Sequence, residues 1–314
     1  MKIYNKKYSA PILMILIISF FVLFSRQQAG FIAYKNNKLT VVATTSMLTD
    51  AIRNIVGDHI IVHGLMGCGI DPHVYRARES DVHKLAAADL VIYNGLHLEG
   101  KMGQVLEGMD RFTTVVNVSD AIDKRNLRAT EFDGLYDPHI WFDVQLWISV
   151  VRYIQATIMQ LDPKHADIYK KKGDAYCAQL EQLHEYVQQR IAELQPQQRI
   201  LVTAHDAFGY FGDAYNFEVV GLQGLSTDSD ISTRDIQQLA DYIVQKKIST
   251  IFVESSIPAR SLMAVQQAVA AQGWSVALGD ELYSDALGDE ESGADTYIAM
   301  VKHNIDTIVG ALKK

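Results

Sequence analysis

The sequence predicts an α/β protein of two domains, each with a central parallel sheet flanked by helices, joined by one long backbone helix. Three observations predict it. Eight short β-branched runs fall into two groups of four; amphipathic segments separate the runs within each group; and between the groups lies a long stretch of helical periodicity.

The first 37 residues are set apart. Lys2, Lys6 and Lys7 precede a nearly unbroken apolar run at residues 11–24, the pattern of an export signal. A full span wants about 20 apolar residues. No clean small-x-small cleavage site follows and no cysteine is available there for a lipid anchor, so a cleaved signal and a retained N-terminal membrane anchor both stay open. Residues 38–162 then read as the first domain, with strands "LTVVATTS", "HIIVHGLM", "DLVIYNGL" and "TTVVNV". Residues 197–314 read as the second, with "RILVTAH", "FEVVGL", "TIFVESS" and "SVALGD", the last strand spanning 275–280. Such continuous apolar strands suit parallel sheets covered on both faces. Ser232 and Asp235 form a capping box for a helix at 233–246, and Pro258 and Gly273 bracket the next.

Between the domains, residues 163–196 carry Ile168, Tyr176, Leu180, Leu183, Val187, Ile191 and Leu194 at helical spacing. A helix of about 32 residues spans roughly 48 Å, longer than a crossover requires. It is read as a strut across a cleft, with an ordinary core helix broken at Gly173 as the alternative.

Of 314 residues, 48% are hydrophobic, and 29 basic against 37 acidic residues give a net charge of −8, which disfavours nucleic acid as a partner. Only Cys68 and Cys177 are present, so no disulfide framework holds the fold, although parity leaves a single pairing open.

The chain repeats itself: "IDPHVY" at 70–75 and "YDPHIW" at 136–141. In open parallel sheets ligands bind beyond the carboxyl ends of strands. His73 follows one predicted strand, His139 sits in a proline-fixed turn, His205 ends "RILVTAH" and Asp280 ends "SVALGD". Three imidazoles and a carboxylate suit zinc, or manganese if the carboxylate binds through both oxygens. Asn94, Asp206 and Glu254, at or beside strand ends, are candidates to hold the ligands' outer nitrogens. His59, His63, His83, His97, His165, His184 and His303 read as structural, His97 being the nearest rival because it too follows a strand. Cys68 reads as an idle thiol rather than a ligand. No His-Glu-x-x-His or Gly-x-Ser-x-Gly occurs, and "GCG" lacks the third glycine of a dinucleotide loop.

Together, "TTSMLTDAIRNIVGD", "GIDPHVYRARESDVHKLAAADLVIYNGLHLEGKM", "DPHIWFDV", "LVTAHDAFGYFGDAYNFEVVGLQGLST", "IFVESSIP" and "LGDELYSDALG" resemble the metal-binding solute-binding proteins of ABC importers, a zinc and manganese receptor family. The resemblance runs in order from about Leu39 to the C-terminus. It implies a metal site in the interdomain cleft, with His73, His139, His205 and Asp280 as ligands of one Zn2+ or Mn2+, carried as cargo. It further implies an exported, non-enzymatic receptor, periplasmic or anchored on the outer face of the membrane, that delivers the ion to an ABC permease and its ATPase. Manganese-dedicated members usually carry Glu where His205 stands, and zinc-dedicated members a His-rich loop where "DKRNLRATEFDGLYDP" has no histidine, so the resemblance implies a receptor for both ions. A metal-dependent surface adhesin and a zinc hydrolase are the alternative readings.

Overall fold

The structure is a computed structural model and describes residues 38–109, 111, 113–130 and 134–313. The expected export segment at 1–37 lies outside the described residues. Thr40–Lys314 forms one compact unit.

Its N-terminal half is the expected parallel sheet. Strands β1 (Thr40–Ala43), β2 (Ile61–Gly64), β3 (Leu90–Tyr93) and β4 (Thr114–Asn117) run in the order β2-β1-β3-β4, all neighbours parallel. The crossovers are α1 (Ser46–Val56), α2 (Glu79–Ala87) and α3 (Gly103–Met109). Val41, Val42, Ala43, Leu90, Val91 and Ile92 are fully buried, which is why these strands are apolar without alternation. Burying each such side chain stabilises the fold by about 1.5–3 kcal/mol.

In the C-terminal half, β5 (Ile200–His205) pairs in parallel with β6 (Glu218–Gln223), and β7 (Thr250–Glu254) with β8 (Ala277–Leu282). The two pairs lie side by side along β5 and β7, but their ladders are separate. Where a ladder bond would join them, the His205 N–H instead donates to the Glu254 side chain, 2.8 Å away. Helices α6 (Gly209–Tyr215), α7 (Thr233–Lys246) and α8 (Arg260–Ala271) connect these strands, and α9 (Tyr297–Leu312) ends the fold. The expected capping box opens α7: Ser232 Oγ accepts from Asp235 N at 3.3 Å, and Asp235 Oδ2 accepts from Ser232 N at 2.8 Å.

Between the halves, α4 (Val144–Leu161) leads through a short turn into the long helix α5, Ala166–Ile191. Its 26 residues span about 39 Å. Gly173 does not break it. A Cβ there would lie 2.5 Å from the Gln155 amide, so glycine lets α4 pack close enough for Gln155 Nε2 to donate to Lys170 O at 2.9 Å. The first half of α5 holds α1 through Tyr176 and Asp50 (3.1 Å); the second half holds α9 through Tyr186 and Asp306 (2.8 Å). Cys177 is buried on this helix while Cys68 is exposed, and both are free thiols. Among the described residues no helix is long and apolar enough to cross a membrane.

Candidate metal centre

The two Asp-Pro-His repeats fold alike. Asp71 Oδ1 accepts from the His73 backbone N–H at 2.9 Å, and Asp137 Oδ1 accepts from that of His139, also at 2.9 Å. Each is an Asx turn tightened by the proline between the two residues. The turns aim both imidazoles at one point, where their Nε2 atoms lie 3.2 Å apart.

His205 approaches that point from the end of β5. Its outer nitrogen, Nδ1, is 2.6 Å from Glu254 Oε2, so both of the residue's polar hydrogens on that side are held by one carboxylate. The inner Nε2 faces Asp285 Oδ2 at 3.3 Å. Asp285 stands in the loop beyond β8, with its Oδ1 3.5 Å from His139 Nε2 and its Oδ2 3.6 Å from His73 Nε2.

Asp285, not Asp280, therefore joins the three histidines. Strand β8 continues to Leu282, two residues past the predicted end, which leaves Asp280 exposed within the strand. The first acidic residue beyond the carboxyl end of β8 is Asp285, three positions past Leu282. Leu282 and Tyr283, apolar and buried after the Asp-Glu pair, carried the signal that the strand goes on.

The four side chains are His73, His139, His205 and Asp285, with donor atoms all within 4.8 Å of one another. Their relative exposures are 4%, 0%, 0% and 1%, so water does not compensate them. His205 Nε2 and both Asp285 oxygens are buried without a hydrogen-bond partner, a costly arrangement unless something else binds there. A tetrahedral ion about 2.0–2.1 Å from each donor would set its donors about 3.3–3.4 Å apart. Four of the donor pairs, at 3.2, 3.3, 3.5 and 3.6 Å, bracket that spacing. With both Asp285 oxygens turned inward, a fifth bond is also within reach, as a harder ion would prefer.

Charge reinforces the geometry. Burial alone would raise the Asp285 pKa, but the surrounding histidines, His205 foremost, hold it below the usual carboxylate range. Burial works the other way on His205, yet the Glu254 and Asp285 carboxylates outweigh it and raise its pKa well above an ordinary imidazole. For His73 burial dominates and its pKa falls to about 3.

Of the residues expected to support the ligands, Glu254 grips His205 as described. Asn94 Nδ2 donates to Pro138 O at 2.9 Å and so steadies the second turn. Asp206 touches no ligand through a hydrogen bond; it lines a cavity of about 590 Å3 at the cleft mouth with His97 and Arg128. His97 is exposed and outside the group. Sequence reasoning missed four contributors. Asp137 Oδ1 also accepts from His139 Nδ1 at 2.7 Å. Asp71, in the other turn, holds only the His73 backbone and gives its second oxygen to Thr227 Oγ1. Glu99 accepts from Thr44 Oγ1 (2.6 Å) and Asn94 N (2.8 Å). Trp141, edge-on to His139, donates its Nε1–H to Ser284 O at 2.9 Å, one residue before Asp285. Asp137 needs its neighbour to be small as well: a Cβ on Gly209 would come 2.6 Å from Asp137 Oδ2.

Comparisons with known proteins bear on the chain as a whole. The family described as ZnuA, zinc-uptake complex component A, periplasmic, matches residues 41–311. The zinc-binding protein TroA of Treponema pallidum (strain Nichols) is 46% identical over 90% of this chain and 91% of its own length. The manganese-binding lipoprotein MntA of Bacillus subtilis (strain 168) is 45% identical over 88% of this chain and 91% of its own. The solved structure of the periplasmic zinc-binding TroA superposes with a TM-score of 0.86, covering 88% of this chain and 99% of that one.

Proposed function

We propose that this chain, which belongs to the ZnuA family, is an exported receptor that captures one Zn2+ or Mn2+ and delivers it to an ABC-type import permease driven by its ATPase. His73, His139, His205 and Asp285 hold the ion. The observation that carries the reading is the convergence of these four buried donors, with the inward atoms of His205 and Asp285 unpartnered.

Relatives named for zinc and for manganese support a site that accepts either ion. The donor set is compatible with both, since imidazole suits zinc and a carboxylate turned with both oxygens inward suits manganese. A hydrolase needs an open coordination position and room for a substrate beside it; donors at most 4% exposed favour sequestration over turnover. The ion is therefore cargo and the protein is not an enzyme. The parts divide as residues 38–162, a linking helix in 163–196, and residues 197–314, with residues 1–37 directing export or holding the protein at the membrane.

Purified protein loaded with Zn2+ or Mn2+ and desalted should retain one ion per chain by elemental analysis. Asp285→Ala should retain none, and Asp280→Ala should behave as wild type. Loading should also raise the Tm, because an ion at 1,000 times its Kd stabilises the folded state by about 4.1 kcal/mol. Two tightly held ions per chain, or loss of the ion in Asp280→Ala with retention in Asp285→Ala, overturns the assignment.

A further inference from the structure

The connection between β6 and α7, residues 224–231, carries no ligand, yet it touches two of them indirectly. At its root, Gln223 pairs with His205 across the β5–β6 ladder, and the Gln223 carbonyl accepts from Asp206 N at 3.0 Å. At its tip, Thr227 Oγ1 donates to Asp71 Oδ2 at 2.5 Å. Asp71 is the residue whose other oxygen fixes the His73 backbone. One residue further on, Asp228 Oδ2 meets Lys101 Nζ at 2.6 Å. The segment thus runs from a histidine of the C-terminal half to the turn that carries a histidine of the N-terminal half.

It is also built to move. Apart from Leu225, Thr227 and Ile231, which are partly buried, its residues are exposed, so it lacks the apolar burial that makes a segment resist local opening. Space flanks it on both sides. Gly224, Leu225 and Ser226 wall the 590 Å3 cavity that His73 lines, and Thr227 and Asp230 wall a second cavity of about 390 Å3 that Asp71 and Val74 line. Its side-chain tie to the strand behind it is at the root, where Gln223 Nε2 donates to Thr227 O at 2.8 Å, so the tip can swing while the root stays on β6.

We propose that residues 224–231 form a strap across the cleft, latched by the Thr227–Asp71 hydrogen bond, that sets how long the ion stays bound by holding the His73 turn in place. The proposal rests on the metal-receptor reading above. Thr227 is a positioning residue that acts through Asp71 on His73. Unlatching frees the His73 turn while His139 and His205 keep their own carboxylates, so release begins at His73.

The test is the rate of ion loss from the whole protein preloaded with Zn2+ and mixed with excess chelator. Thr227→Val keeps the shape and removes the hydroxyl. It should release the ion about tenfold faster, the scale of a hydrogen bond to a charged group, and Thr227→Ser should restore the wild-type rate. Asp228→Ala, which breaks only an exposed pair, should change the rate by about twofold or less. Hydrogen exchange of wild type gives a second readout: amides of 224–231 should be poorly protected without the ion and gain protection with it, more than those of β5. An unchanged release rate in Thr227→Val, failure of Thr227→Ser to rescue, or strap amides equally protected with and without the ion overturns the strap. Wild type that binds no ion at all overturns the receptor reading instead.

Discussion

The two Asp-Pro-His turns share a backbone device and differ in what the aspartate does with its remaining capacity. In the second turn Asp137 Oδ1 accepts from both the backbone and the ring of His139, and both groups belong to the same half of the molecule. In the first, Asp71 holds only the His73 backbone and gives its other oxygen to Thr227, across the cleft. The ring of His139 is thus held by its own turn, whose Asp137 carbonyl also accepts from Tyr210 Oη at 3.0 Å, whereas the aspartate that fixes the His73 backbone spends its second oxygen on a side chain across the cleft. His205 follows the local pattern through Glu254. A receptor must grip its ion and later let it go. A repeated motif whose copies are anchored differently supplies a firm side and a releasable side from nearly the same six residues.

The hardest way to break this pattern is at a ring that a carboxylate holds. His205→Glu would set a new carboxylate against Glu254, which is 2% exposed, and beside Asp285. An uncompensated buried charge costs the fold about 3–5 kcal/mol, so the Tm of the ion-free protein should fall sharply. The double variant His205→Glu with Glu254→Gln should regain much of it. On that background the preference for Zn2+ over Mn2+ should be lower than in wild type, since a carboxylate replaces an imidazole. The ratio of the two dissociation constants, from competition titrations, measures this. A single variant as stable as wild type without the ion would mean that Glu254 is not facing the ligand.

How far these features were legible in the sequence depends on how local their causes are. The parallel sheets and the long helix follow from runs and periodicities that survive any tertiary context. His73, His139 and His205 announce themselves by a repeated turn and a strand end. Asp285 does not, because its place depends on where β8 stops, and that is set by Leu282 and Tyr283 packing into the core and Asn304 Oδ1 taking the Tyr283 N–H at 2.9 Å. The separation of the C-terminal strands into two ladders was equally hidden, since β-branched runs do not say which neighbour bonds to which. Partners such as Thr227 for Asp71 lie 156 residues apart, and no pattern in a single chain announces them.

A milder perturbation separates the turns directly. Asp137→Asn keeps an acceptor for His139 but removes the negative charge that makes its ring a strong donor to a cation. Losing such an outer partner typically weakens metal affinity by about 10–100-fold. Asp71→Asn leaves a carbonyl for the His73 N–H, and its amide can donate to Thr227 in place of the present bond. Its affinity should stay within about threefold of wild type, neutral bonds replacing a charge-assisted one. Calorimetric titration of both variants decides it, and equal losses would mean that the turns are anchored alike after all.

The last expected effect concerns protons, and here the two halves of the site differ again. An ion can bind only to nitrogens that are free of hydrogen. Burial lowers the His73 pKa to about 3, so at pH 5.5–7.5 its ring is already neutral and has no charge-balancing proton to lose. His205 is the reverse: despite burial, Glu254 and Asp285 raise its pKa well above an ordinary imidazole's, which favours a protonated ring without the ion. Binding must drive that proton off the Nε2 that faces Asp285. Lower pH favours the protonated ring and therefore opposes binding, so affinity falls with pH, by about tenfold per unit for one displaced proton. The fall should already be under way between pH 7.5 and 6.5, above the range where a free imidazole titrates. Calorimetry at pH 7 in buffers of different ionisation enthalpy counts the protons released, and about one per Zn2+ is expected. A count of two or more would mean that a second histidine of the group is also charged before the ion arrives, and a count near zero would remove His205 as the proton's seat.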